Sequence, residues 1–288
     1  MHFTEDGFYK LCSFYSLFIF DIDSIISPKE QEMHKAIEVL KQLRLKGKHV
    51  ALMSHSPLEI DRVRDYLNNQ GISIYYYQSL ITCGSYALEC LKFPPDPFHR
   101  RLGKRYYFIG KTHEEEILKD LPFVQVTDLE DTDFIFVTSL EEWHDTLEVY
   151  DDILKEAAQR NLPLLCINPD LYTIQEGHLK VQGGALGKAY EDLGGKVHFY
   201  GKENPHFLKD LFLKYNSVAR SEMLVIGSSV KKDTLLCQNQ EIDLFLVIKE
   251  LTCFEIGLEA FAPFDKVVHG LQELGYTPNY VASRLYWD

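Results

Sequence analysis

The chain has 288 residues, 45% hydrophobic and 25% charged, an ordinary globular composition with room for one large or two modest domains and a core that needs no staples. A net charge of −13 argues against a nucleic-acid partner, which would require a basic face. The six cysteines, Cys12, Cys83, Cys90, Cys166, Cys237 and Cys253, form no C-x-x-C pair and mostly sit in apolar runs, so buried free thiols in a reducing compartment are expected rather than a zinc site.

From Met1 to Lys10 the chain shows no signal-peptide pattern. No apolar run approaches a membrane span, so the cytoplasm is the expected address and a membrane is not an expected partner. The first strand is Tyr15-Ser16-Leu17-Phe18-Ile19-Phe20, ending on Asp21. A helix is predicted from about Pro28 to Lys46, with Ser27 as N-cap, Pro28 in the first turn, Glu30 completing a capping box and Gly47 ending it. Met33, Ile37, Leu40 and Leu43 make its apolar stripe. The next strand, His49-Val50-Ala51-Leu52-Met53, ends on Ser54, and Ser56-Pro57-Leu58-Glu59 opens a second helix.

Tyr75-Tyr76-Tyr77 reads as a strand rather than a stacking platform, because aromatic residues favour strands. Glu114-Glu115-Glu116 reads as the solvated first turn of a helix. Further strands are Phe134-Ile135-Phe136-Val137, Leu164-Leu165-Cys166-Ile167, Val197-His198-Phe199-Tyr200, Met223-Leu224-Val225-Ile226 and Leu244-Phe245-Leu246-Val247. Apolar strands alternating with amphipathic helices predict an α/β protein whose parallel sheet is covered on both faces.

Ligands of open parallel sheets bind at the carboxyl ends of the strands. The residues there are Asp21-Ile22-Asp23, Ser54-His55-Ser56, Gly201-Lys202 and Gly227-Ser228-Ser229. Two carboxylates, several hydroxyls and a lysine suit phosphate chemistry with a divalent cation. An aspartate ending an apolar strand can attack phosphorus as a carboxylate, without prior deprotonation. It needs its own charge and that of the phosphate neutralised, which a metal ion and a lysine supply. A second aspartate two residues on can act as acid and then as base. Taken alone, Asp-x-Asp after a strand is a polar loop.

Phe18-Ile19-Phe20-Asp21-Ile22-Asp23 resembles the first motif of haloacid dehalogenase (HAD) superfamily phosphatases, and Leu52-Met53-Ser54 resembles the second. Gly201-Lys202-Glu203-Asn204-Pro205 looks like the third, where class IIA members carry Gly-Lys-Pro. Met223-Leu224-Val225-Ile226-Gly227-Ser228 with Asp233 is similar to the fourth, usually Gly-Asp with a second aspartate at this spacing. Order and spacing agree over nearly the whole chain. Between the second and third motifs, Ile167-Asn168-Pro169-Asp170 and Gly183-Gly184-Ala185-Leu186 are similar to runs in the cap of class IIA, nitrophenylphosphatase-like enzymes.

The resemblance implies a Rossmann-like core from residues 1–83 and 195–288 and an inserted α/β cap of the C2 type over 84–194. It implies Asp21 as nucleophile and metal ligand, and Asp23 as acid/base with its carbonyl on the metal. Ser54 and Lys202 would bind the phosphoryl group, and Asp233, with the Ser228 position, would complete a Mg²⁺ shell. Asn168 and Asp170 would lie on a substrate loop or serve only as a turn. The implied substrate is a small phosphorylated metabolite, and the cap is a surface through which related proteins form homodimers.

Four departures from the family pattern stand out. Ser228 occupies the place of a metal-binding aspartate, and a neutral hydroxyl is a weaker ligand for a hard cation. Ser24 replaces the glycine after the second aspartate, which suggests a strained or altered loop. His55 and Ser56 replace asparagines, with His55 read as a solvated rim histidine, and Glu203 displaces the proline beside Lys202. Two functions stay open: a Mg²⁺-dependent phosphatase working through an aspartyl-phosphate, and a catalytically impaired HAD-fold binding or regulatory protein.

Overall fold

The computed structural model describes residues 2–3, 7–27, 29–140, 146–175 and 178–288, so Pro28, the expected first-turn residue, lies outside them. The chain divides into two compact units, one of residues 1–54, 64–81 and 208–288 and the other of 55–63 and 82–207.

The first unit carries a seven-stranded sheet among the described residues. Its strands are β1 (His2–Phe3), β2 (Leu17–Asp21), β3 (His49–Ser54), β4 (Ser79–Thr82), β12 (Met223–Gly227), β13 (Asp243–Val247) and β14 (Tyr280–Ala282). They lie in the order β1-β14-β13-β12-β2-β3-β4. Central β2 has no exposed residue, as expected of a parallel strand covered on both faces. On one side the Phe8 ring packs against Phe18, Phe20 and Phe245 at centroid distances of 5.5, 6.0 and 5.2 Å. Helix Glu30–Leu45 buries Ala36, Ile37, Val39, Leu40 and Leu43, close to the expected stripe, while Met33 is only half-buried. At its start the Ser27 hydroxyl bonds Glu32 rather than forming the expected box with Glu30.

Register sets the site. Phe20 pairs with Leu52 on β3 and with Ile226 on β12, and Gly227 pairs with Leu246 on β13. The carboxyl ends of four adjacent strands are therefore level, about 4.8 Å apart.

The second unit has a parallel five-stranded sheet in the order β11-β8-β7-β5-β6, from β5 (Arg105–Ile109), β6 (Val124–Val126), β7 (Phe134–Val137), β8 (Pro163–Cys166) and β11 (Lys196–Phe199). A separate antiparallel hairpin joins β9 (Tyr172–Gln175) to β10 (His178–Val181). Ile135, Val137, Leu164 and Cys166 form its core with Leu154, Leu186 and Tyr190 from helices. Two glycines allow helix Gly183–Asp192 to start against the sheet: a Cβ on Gly183 would stand 2.1 Å from the Thr138 carbonyl oxygen, and one on Gly184 equally close to that of Pro169.

The expected boundaries differ from this division on both sides of the insertion. The expectation puts residues 55–63, 82–83 and 195–207 in the core, whereas the second unit takes them in, and β11 pairs along its length with β8. Tyr75-Tyr76-Tyr77 is not a strand: the Ser73 hydroxyl accepts the Tyr75 amide and starts a 3-10 turn over Ile74–Tyr76. The Glu114 turn is solvated only in part: Glu116 is exposed, but the Glu114 carboxylate is buried and accepts the Ser139 amide at 2.9 Å. All six cysteines are free thiols, five of them buried. Among the described residues no helix is long and apolar enough to cross a membrane.

Candidate active site

Asp21 closes β2 with its side chain 5% exposed. Its Oδ1 accepts the Asp23 amide at 3.2 Å, which fixes the carboxylate at the mouth of the sheet and turns the chain into the short helix Ile22–Ile25. Asp23 stands exposed on that turn. Ser24 does not strain it: its backbone is right-handed, and its hydroxyl donates to the Asp21 carbonyl at 2.6 Å. That extra bond does the work a glycine's freedom does elsewhere. Ser54 ends neighbouring β3, half-buried.

On the other side of β2 the loop Gly227-Ser228-Ser229 is held by two carboxylates. Asp233, fully buried, accepts the Ser229 amide at 2.9 Å. Glu255 accepts the Ser229 hydroxyl at 2.7 Å and the Val230 amide at 2.5 Å. Burial, helped by the charge of Asp233, raises the Glu255 carboxyl above its usual range, against the pull of its hydrogen bonds. The Ser228 carbonyl accepts the Thr252 hydroxyl at 2.7 Å. On the same rim Lys249 is half-buried two residues beyond β13. Burial pulls its ammonium down while Glu32 and Asp23 pull it up.

Sequence reasoning missed Glu255 and Lys249. Applying the strand-end rule to β13, as to the other strands, would have found Lys249. Glu255 carries no such signal, because it reaches the loop from inside a helix.

Lys202, Asn168 and Asp170 belong to the second unit, and His55 with them. His55 is not a solvated rim residue. It is buried, its Nδ1 donates to Asp170 Oδ1 at 2.7 Å, and its Nε2 accepts the Lys202 amide at 3.4 Å. Asn168 donates to Ser139 Oγ and Gln182 Oε1 and accepts the Asp170 amide, so it builds the loop from which Asp170 reaches His55. Lys202 is 2% exposed. Next to it, a Cβ on Gly201 would stand 2.5 Å from the Pro169 ring, so a larger residue would push this loop aside.

The same unit buries a second polar cluster. His99 Nδ1 contacts Asp96 at 2.9 Å, and its Nε2 shares a hydrogen bond with the Tyr200 hydroxyl at 2.8 Å. Beside them His198 packs at 4.7 Å from both rings, with Asn204 at 3.4 Å. Burial, reinforced by the charge of His99 and opposed by Asp96, pushes His198 down from 6.5 to about 4. Between those values the unfolded chain takes the proton and the folded one does not. The associated stability is complete above pH 6.5 and is lost as pH falls toward 4. Between pH 7 and pH 5 the loss should be about 2 kcal/mol. His198→Phe should remove that component, which urea unfolding of both proteins at the two pH values measures. An equal pH dependence in the variant would assign the effect to other groups.

The family resemblance implies Mg²⁺ on Asp21, Asp23, Asp233 and the Ser228 position. The residues present do not suit it. Magnesium wants anionic oxygens in octahedral array; Ser228 offers a neutral hydroxyl where a carboxylate is expected, and Asp233 turns its Oδ2 to the Ser229 amide. Among the described residues no three His, Cys, Asp or Glu side chains are grouped so as to hold a metal ion.

No protein-family model matches the chain, and no curated protein sequence does. Solved structures do match. A haloacid dehalogenase-like hydrolase from Brucella suis superposes with a TM-score of 0.80 at 22% identity, over 98% of this chain and all of the other. The chain has the HAD-like fold. A 4-nitrophenylphosphatase from Thermotoga maritima gives 0.68 at 20% identity, covering 95% and 96% of the two chains. A p-nitrophenyl phosphatase from Archaeoglobus fulgidus gives 0.66 at 17%, covering 94% and 96%. In HAD-like terms, Asp21, Asp23, Ser54, Ser228 and the first turn of helix Val230–Gln240 with Asp233 are brought together at the level strand ends of the first unit.

Proposed function

We propose that the chain is a phosphoric monoester hydrolase that works through an aspartyl-phosphate on Asp21. The observation that supports this most is a buried carboxylate, held by the Asp23 amide at the carboxyl end of the central strand, in a fold shared with proteins named as phosphatases. Asp21 attacks phosphorus, and the bond to the leaving oxygen breaks as Asp23 delivers a proton to it. Asp23, now a carboxylate, takes a proton from water, which attacks the aspartyl-phosphate and releases inorganic phosphate. The Ser54 hydroxyl donates to a phosphoryl oxygen, and Lys202 is the second unit's phosphate-pairing cation. The substrate is a small phosphorylated compound, and Asn168 and Asp170 serve as a substrate loop or only as the turn that holds His55.

A second reading is a phosphoanion-binding protein with little turnover. The neutral Ser228 in place of a carboxylate favours it. Steady-state assay with p-nitrophenyl phosphate, in EDTA and across a Mg²⁺ titration, separates the two. Release of p-nitrophenol that tracks the protein through gel filtration is expected. Its absence at millimolar substrate with and without Mg²⁺ would sink the hydrolase reading in favour of the second.

A further inference from the structure

The strand-end rim of the first unit holds a lysine that none of the four motifs contains. Beyond β13 the chain stays tied to the sheet, with the Ile248 amide donating to the Ala282 carbonyl at 2.9 Å. The Lys249 amide then donates to Thr252 Oγ1 at 2.9 Å, and that hydroxyl, 0% exposed, donates in turn to the Ser228 carbonyl at 2.7 Å. One buried hydroxyl therefore couples the Lys249 backbone to the loop where a metal-binding carboxylate is missing. β13 lies next to β12, and β12 next to β2, so Lys249 shares the rim with Ser228 and Asp21.

Asp23 and Glu32 attract the Lys249 ammonium and Lys29 repels it. Glu32 is already shared with the Lys29 ammonium at 3.1 Å and the Ser27 hydroxyl at 3.0 Å. Of the two carboxylates that attract the ammonium, Asp23 belongs to the rim. A dianionic phosphate ester brought beside Asp21 and Asp23 needs positive charge. A flexible four-carbon stem ending in a compact cation can supply it without a metal.

We infer that Lys249 is a phosphoanion-binding residue of the first unit, its ammonium supplying part of the positive charge that a third carboxylate would otherwise recruit as a metal ion. The inference rests on the phosphatase reading for the identity of the anion, and on the rim for the residue. It also accounts for the missing carboxylate: an aspartate at position 228 would compete with the anion for the lysine.

Inorganic phosphate titrated calorimetrically into the full chain, in EDTA, tests it. The wild type should bind. Lys249→Gln should weaken binding by about tenfold or more, the loss of one charge-assisted hydrogen bond, while Lys249→Arg should stay within a few-fold. Melting curves establish that both variants fold. No binding by the wild type in EDTA, equal affinity in Lys249→Gln, or an arginine variant as weak as the glutamine one would each overturn the inference. Unaltered phosphate affinity in Lys249→Gln alongside normal p-nitrophenyl phosphate turnover rejects Lys249 and leaves the phosphatase standing. Lysine-dependent phosphate binding without turnover does the reverse.

Discussion

Asp21→Asn is expected to lower hydrolysis of p-nitrophenyl phosphate by at least about a thousandfold while leaving the fold in place. The amide is isosteric, so no cavity opens in the packed end of β2, and its oxygen can still accept the Asp23 N–H that the carboxylate accepts at 3.2 Å. What disappears is the anionic oxygen that forms the bond to phosphorus. The variant should melt with the wild type and retain the α/β circular dichroism spectrum. Turnover above about a tenth of wild type would place the chemistry on another residue.

Gly227→Ala should have the largest effect on stability. The added Cβ would stand 2.1 Å from Asp233 Oδ2, the oxygen that accepts the Ser229 amide. Neither group can yield cheaply, since Asp233 is fully buried and Gly227 lies within β12. Overpacking costs about 1–3 kcal/mol and an orphaned buried amide about as much again, so a loss of roughly 2–6 kcal/mol is expected. A single domain has only about 5–15 kcal/mol in total. Urea unfolding should show the midpoint falling at unchanged slope. Adding Asp233→Ala to the same chain should cost less than the two changes summed, because the clash is then gone. A shift in Gly227→Ala below about 0.5 kcal/mol would mean that the loop relaxes freely.

The parts of the fold legible in the sequence are those where one short segment carries its own signal. Leu17 to Phe20 and Met223 to Ile226 are unbroken apolar runs because strands buried on both faces have no solvent side to encode. Their last residues were therefore readable as strand ends, and register makes them level. The illegible parts depend on segments distant in sequence. The 195–207 segment reads as core or insertion equally well, and only its pairing with β8 decides. His55 follows a rim strand and looks solvated until Asp170, 115 residues away, is beside it. Glu255 is one more polar residue on a short helix until the Ser229 loop folds onto it. Tyr75-Tyr76-Tyr77 has strand composition, but a local cap at Ser73 overrides it.

The interleaving of the two units has a consequence for the order in which the chain can acquire structure during translation. All five strands of the second unit's parallel sheet lie between Arg105 and Phe199, so the whole of that sheet has been synthesised before Met223 is added. Central β2, by contrast, emerges early with β3 on one side and has β12 as its other neighbour, about 200 residues later. At synthesis rates of about 5–20 residues per second, the open edge of β2 waits at least about ten seconds for its partner. An apolar parallel edge exposed for that long is a site for mispairing. The inserted unit can thus finish its sheet on the ribosome while the unit that holds Asp21 is still waiting for its own.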